Sequence, residues 1–292
     1  MPSLRTRVIN LSKPEWLKIK LHSTPVFAEV ERIVRDNSLH TICSSGMCPN
    51  KAECWSRRTA TFMLMGEVCT RNCRFCATQS GRPLPLDPAE PAKLADSVEL
   101  MGLKHIVLTS VTRDDLADGG AAHWVAAIEA IRAKGMGSTI ELLISDMNND
   151  DESLRVVVSA GADIVGHNIE TTRALTPAVR SAASYERSLE VLGKLSQLGA
   201  VTKSGIMVGL GESDEDIIQT LRDLRAAGVR IVTLGQYLRP TLKHHAVDRY
   251  VSPERFEEYR QKAMEMGFDY CASAPMVRSS YLADEALKAV EL

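Results

Sequence analysis

From Thr59 onward, apolar β-rich runs alternate with segments of helical pattern, and this alternation restricts the fold more than any other feature of the chain. The runs are TATFMLMG (59–66), KHIVLTS (104–110), TIELLIS (139–145), DIVGHN (163–168), VTKSGIMVG (201–209) and VRIVTLGQ (229–236). Helical patterns occupy residues near 88–101, 119–134, 150–160, 184–198, 213–227 and 253–266, several of them opened by Ser, Asp or Pro. Gly102, Gly161, Gly199, Gly228 and Gly267 stand where helix C-termini favour a left-handed residue. Strands without clean polar alternation are buried on both faces, and strand–helix alternation implies a parallel sheet with right-handed crossovers. An eight-unit barrel takes about 250 residues, or roughly 30 per unit, so residues 59–266 hold six or seven units. The expected fold is α/β: a partial (β/α)6 TIM-like barrel over 59–268, with an N-terminal extension over 1–58 and a C-terminal loop segment over 269–292. In such folds the chemistry sits at the C-terminal ends of the strands.

Composition removes several function classes. The 35 basic and 37 acidic residues give a net charge of -2, so no global field draws the chain to nucleic acid or to an anionic membrane. No uninterrupted apolar run of about 18 residues occurs, and the N-terminal stretch MPSLRTRVINLSKPEWLK lacks an apolar signal core. The seven cysteines are an odd count in a long chain, which disfavours a disulfide framework and favours reduced cytosolic thiols serving as metal ligands. A near-neutral cytoplasmic protein, neither spanning a membrane nor secreted, is expected.

Six of the seven thiols fall in two groups. Cys69, Cys73 and Cys76 lie in CTRNCRFC, on the loop leaving the first barrel strand, with C-x3-C-x2-C spacing. Zinc would call for a fourth Cys or His close by, and this loop has none. Three thiolates suit a cubane iron-sulfur cluster with one iron left open. Cys43, Cys48 and Cys54 form a second triad, C-x4-C-x5-C, in the extension. It suits a second cluster, or a zinc knot with His40 as fourth ligand. Cys271 stands alone in DYCASAP near a possible last strand and reads as core filler without a role.

The first triad, with Phe75 ahead of its last cysteine, resembles the radical S-adenosylmethionine superfamily. CPNKAECW followed by CTRNCRFC, with KPEWLK (13–18), TSVTRDDLADGG (109–120), HNIET (167–171), KSGIMVGLGE (203–212), LGQYLRPT (234–241) and VRSSY (277–281), resembles the lipoyl synthase family within it, over nearly the whole chain. The resemblance implies a sulfurtransferase that inserts two sulfur atoms, at C6 and C8 of an octanoyl group on a lysine of a lipoyl carrier domain. It implies two 4Fe-4S clusters and S-adenosylmethionine, two molecules of which are spent as sources of 5′-deoxyadenosyl radicals for each lipoyl group. Cys69, Cys73 and Cys76 would hold the radical-generating cluster. Cys43, Cys48 and Cys54 would hold the auxiliary cluster that gives up sulfur, with Ser280 of RSSY on its fourth iron. The implied partners are octanoylated E2 subunits and the glycine-cleavage H protein, a ferredoxin or flavodoxin reductant, and an iron-sulfur carrier that rebuilds the auxiliary cluster. Another radical enzyme that inserts sulfur or transfers methylthio groups remains an alternative, as does a non-enzymatic iron-sulfur or zinc scaffold.

Candidate contacts for S-adenosylmethionine stand at strand ends: Thr112 and Asp114, Glu141, Asn168, and Arg187 for the carboxylate. Each has an ordinary alternative, Asp114 as a helix cap and Glu141 or Arg187 as ion-pair members. Gly205, Gly209 and Gly211 would let backbone approach the cofactor, or simply turn the strand end. His244 and His245 suit either a carrier contact or solvent. Arg71, Arg74 and Arg82 would offset cluster charge, receive an acidic partner, or stand as ordinary exposed arginines.

Overall fold

The structure, a computed structural model, describes residues 12–18, 24–180, 182–281 and 283–290. The reading of residues 1–11 as lacking an apolar signal core lies outside them. Ten strands form in chain order: β1 (His40–Thr41), β2 (Thr61–Leu64), β3 (Val68–Cys69), β4 (Gln79–Ser80), β5 (His105–Ser110), β6 (Thr139–Leu143), β7 (Ile164–Gly166), β8 (Thr202–Val208), β9 (Ile231–Gln236) and β10 (Tyr270–Ser273). The α-helices are α1 (Pro25–Asp36), α2 (Ile42–Ser45), α3 (Lys51–Ser56), α4 (Glu90–Met101), α5 (Ala121–Ala133), α6 (Asp151–Ser159), α7 (Thr176–Val179), α8 (Tyr185–Gln197), α9 (Asp214–Ala226), α10 (Pro253–Glu265) and α11 (Ala283–Ala289).

The main sheet runs β1-β2-β5-β6-β7-β8-β9-β10 and is parallel from β2 to β10, with β1 antiparallel at one edge. This is the expected open barrel. Each expected strand and helix forms, because strand runs such as Ile106–Leu108 and Val232 bury completely while the intervening helices present apolar faces to them. Full burial of one such aliphatic side chain contributes about 1.5–3 kcal/mol. All five helix-ending glycines adopt positive φ, between 61° at Gly102 and 88° at Gly199, the conformation in which a Cβ is costly.

One expectation changes. The segment over 269–292 is more than a loop: Tyr270–Ser273 pairs in parallel with Ile231–Leu234 as a seventh parallel strand, and α11 follows. The possible last strand at DYCASAP thus forms, its four residues organised by the open edge of β9. The extension shares the barrel's core and has none of its own among the described residues. Thr24 caps α1, accepting from the Phe27 amide at 3.1 Å, Phe27 packs on Trp55 with ring centroids 5.4 Å apart, and Val30, Ile33 and Trp55 join the cluster that contains Phe62, Leu94 and Trp124.

Candidate functional site

Parallel strands send their C-terminal ends to one mouth. Leaving β2, the chain turns through Met65 and Gly66, at φ 68° and 92°, and enters the loop that carries the first triad. Short contacts hold this loop. The Cys69 sulfur accepts from the amides of Arg71 at 3.4 Å and Thr112 at 3.3 Å, its carbonyl accepts from Gly81 at 2.9 Å, and the Arg74 amide donates to Val179 at 2.9 Å. Cys69, Cys73 and Cys76 are free and partly exposed. Burial pushes the Cys73 thiol up to about 11 against the pull of Arg180, and Cys76 and Cys69 add to the rise; Cys76 is raised the same way. Cys73 and Cys76 therefore resist ionising as free thiols, and their thiolate form calls for a cationic partner.

Behind this loop, Arg71 is buried and clamped. Its guanidinium donates to Asp114 at 2.8 and 2.9 Å and to Asp146 at 2.6 and 2.9 Å. Asp114 is therefore an ion-pair member rather than a helix cap. Thr70 also donates to it, at 3.0 Å. Arg187 reaches the same Asp146 at 3.7 Å, while Arg74 and Arg82 are exposed. Thr112 stands at the mouth through its amide contact with Cys69.

The structure does not bring Glu141 to the mouth. Its carboxylate takes Lys203 at 2.7 and 2.9 Å, with His105 at 3.8 Å, inside the barrel. Burial alone would raise its pKa, but Lys203 and His105 hold it below the usual range. The glycines serve the protein's own side chains. A Cβ on Gly205 would lie 2.8 Å from Asn168 Oδ1, and one on Gly209, at φ 100°, would lie 2.3 Å from Gln236 Nε2 and 2.5 Å from the Arg249 carbonyl. A Cβ on Gly211 would approach nothing closer than 4.0 Å. His244 and His245 are partly buried and bonded to the three-cysteine loop and its neighbours rather than solvated.

The second triad lines one cavity with Asn50, Thr59, Thr61, Arg278, Ser280 and Tyr281. Ser280 thus stands beside Cys43, Cys48 and Cys54, and its Oγ accepts from Thr61 at 2.8 Å. Ser279 turns the other way and accepts from Asn168 Nδ2 at 2.8 Å. The RSSY turn therefore joins the mouth to the second cavity. Asn50 donates to the Met276 carbonyl at 2.8 Å and Tyr281 to Glu53 at 3.0 Å, which ties the extension to this turn. Burial, then Cys43 and Cys48, push the Cys54 thiol up to about 12. His40 faces Glu67 at 3.7 Å and is not among the residues lining the cavity. Among the described residues no three His, Cys, Asp or Glu side chains are gathered for a single ion; a four-iron cluster places each thiolate on a different iron. Cys271 is buried away from both groups, in the core beside Phe256 and Phe268.

Asp146, Glu170 and Arg180 escaped the sequence reading. Glu170 holds φ 67°, uncommon for a residue with a Cβ, and burial raises its carboxyl despite Arg180 and Asn168. Arg180 donates to the Ile169 carbonyl at 3.1 Å and to Ser188 at 2.9 Å, but its buried Nε has no hydrogen-bond partner. Asp146 carried a faint signal, a lone acid just past the third barrel run; Arg180 carried none, because a single arginine in a loop is unremarkable by pattern.

Residues 63–224 match the family model described as the Radical SAM superfamily. A methylornithine synthase shares the fold at TM-score 0.56 and 16% identity, over 72% of this chain and 69% of that one. Streptococcus suis SuiB bound to S-adenosylmethionine does so at 0.53 and 9%, over 70% and 46%. An open parallel barrel with a three-cysteine loop at its mouth places the chain in this superfamily. Similarity over nearly full length narrows the assignment. Lipoyl synthases of Parabacteroides distasonis and Symbiobacterium thermophilum are 52% and 51% identical, covering 94% and 98% of this chain and 98% and 89% of theirs. That of Oceanobacillus iheyensis is 53% identical, over 94% and 89%. The chain belongs to the lipoyl synthase family.

Proposed function

We propose that the chain inserts two sulfur atoms, at C6 and C8, into an octanoyl group borne on a lysine of a lipoyl carrier domain. One observation carries this reading beyond family membership: Ser280 lines the same cavity as Cys43, Cys48 and Cys54, so that four donors surround one space. Two 4Fe-4S clusters and S-adenosylmethionine supply the radical chemistry and the sulfur when bound. Cys69, Cys73 and Cys76 hold one cluster by three thiolates and leave an iron for S-adenosylmethionine. Cys43, Cys48, Cys54 and Ser280 hold the other. A serine oxygen is a harder donor than a thiolate, a mismatch to iron-sulfur ligation that eases release at the iron it holds.

The remaining residues position and charge the mouth. Arg71, locked between Asp114 and Asp146, fixes the loop behind Cys69. Arg180 offers an unpartnered Nε among buried groups, which suits the carboxylate of S-adenosylmethionine better than Arg187 does, since Arg187 already faces Asp146. Octanoylated E2 subunits and the glycine-cleavage H protein are the proposed carriers. A ferredoxin or flavodoxin supplies electrons, and an iron-sulfur carrier restores the auxiliary cluster. Among the described residues no helix is long and apolar enough to cross a membrane, and we place the enzyme in the cytosol, where its thiols stay reduced.

Anaerobic turnover of the reconstituted chain with an octanoyl-lysyl peptide tests the proposal. The expected product carries two sulfurs, with two 5′-deoxyadenosines formed per lipoyl group and roughly eight irons bound per chain. A colourless protein holding zinc, or cleavage of S-adenosylmethionine that never yields sulfurated peptide, would overturn it.

A further inference from the structure

The segment that follows β9 crosses the mouth and fastens onto the loop that follows β2, which leaves near the other end of the main sheet. Two adjacent histidines make the attachment. His244 Nε2 lies 2.9 Å from the Cys76 carbonyl, and its Nδ1 lies 2.9 Å from Thr241 Oγ1. The His245 amide donates to the Arg74 carbonyl at 2.8 Å, and its Nε2 lies 2.9 Å from the Leu210 carbonyl. Tyr237 braces the pair by donating to the His245 carbonyl at 2.8 Å. A ring nitrogen facing a carbonyl must carry the proton. Each imidazole therefore points an Nε2–H at a backbone oxygen, and the Thr241 hydroxyl, at hydrogen-bond distance from His244 Nδ1, fixes the ring's orientation.

We propose that His244 is a positioning residue for the radical-generating cluster, the side-chain half of a clasp whose other half is the His245 main-chain amide, which together hold the Cys73–Cys76 turn from the opposite side of the open barrel. The proposal rests on the assignment of Cys69, Cys73 and Cys76 as cluster ligands. A closed barrel would fix this loop by strands on both sides; here the sheet leaves a gap, and the clasp spans it. His244 acts on the carbonyl of a ligand cysteine, so its donor restrains the sulfur's orientation and draws charge from the peptide next to it, both of which tune a cluster.

The test uses the reconstituted full chain, reduced anaerobically. The radical-generating cluster is recognised as the one whose paramagnetic signal changes when S-adenosylmethionine is added. In His244→Phe, which keeps ring bulk but removes the donor, that cluster is expected to shift in midpoint potential. Its iron should pass to a chelator about fivefold faster, the weight of one neutral hydrogen bond, while the other cluster keeps its rate. His244→Gln, whose amide carries an N–H at a similar reach, should restore both readouts. An unchanged potential and iron-release rate in His244→Phe would sink the clasp, as would equal impairment of the Gln and Phe variants. If the unmodified chain shows no signal that responds to S-adenosylmethionine, the ligand assignment fails instead.

Discussion

Single residues in this protein do chemistry through what neighbours leave them free to do. Ser280 and Ser279 are adjacent, yet one faces the cysteine cavity and the other Asn168. Ser280→Ala should therefore retain 5′-deoxyadenosine formation and lose the two-sulfur product, whereas Cys73→Ala should lose both; a normal lipoyl yield from Ser280→Ala would refute the oxygen ligand. His167 makes a different prediction. Its Nδ1 lies 3.1 Å from the Ile144 carbonyl and its Nε2 lies 3.0 Å from Ser188 Oγ. Burial, reinforced by Arg180, pushes it down to about 4. The unfolded chain takes up this proton near the ordinary histidine value of about 6.5, so between those values the unfolded state binds more protons. Stability should fall as pH drops through that window, by an amount approaching ~3 kcal/mol from this group. His167→Gln should flatten that part of the curve in denaturant titrations, and parallel pH slopes for the two proteins would count against it.

At the scale of elements, strand and helix order was legible because buried parallel strands and capped helices write long, redundant patterns. The expected run at 229–236 becomes Ile231–Gln236, and the expected helix near 213–227 becomes Asp214–Ala226, opened by a Ser213–Asp216 capping box. The site was half legible. Closely spaced cysteines announce themselves, but Glu141 against Lys203, and Arg71 between Asp114 and Asp146, are pairings between elements far apart in the chain. No local pattern specifies them. The strand-end glycines illustrate the same limit. Their spacing was visible, but what fills the space beside Gly205 is Asn168. Gly205→Ala should push Asn168 from Ser279 and cost about 1–3 kcal/mol by overpacking, lowering the thermal midpoint and the two-sulfur yield together. Unaltered thermal stability would show that Asn168 can step aside.

At the scale of the whole molecule, the segment carrying the second triad and the segment after β10 close against each other. His40 and Thr41 pair with β2, Cys43 and Trp55 share its core, and residues 276–281 reach back to Asn50, Glu53 and Thr61. The extension should accordingly melt with the barrel. Trp55→Ala should cost about 3–5 kcal/mol and leave one cooperative transition, observed alike by fluorescence and circular dichroism; two separated transitions would contradict the shared core. The same closure fixes an order of events in biosynthesis. A ribosome adds about 5–20 residues per second, so Cys69, Cys73 and Cys76 emerge long before Ser280 does. The nascent chain presents Cys43, Cys48 and Cys54 throughout that interval without Ser280, so under the proposed ligation the four-donor set is complete only once residue 280 has emerged. Completion of this cavity's lining is thus a late step by topology.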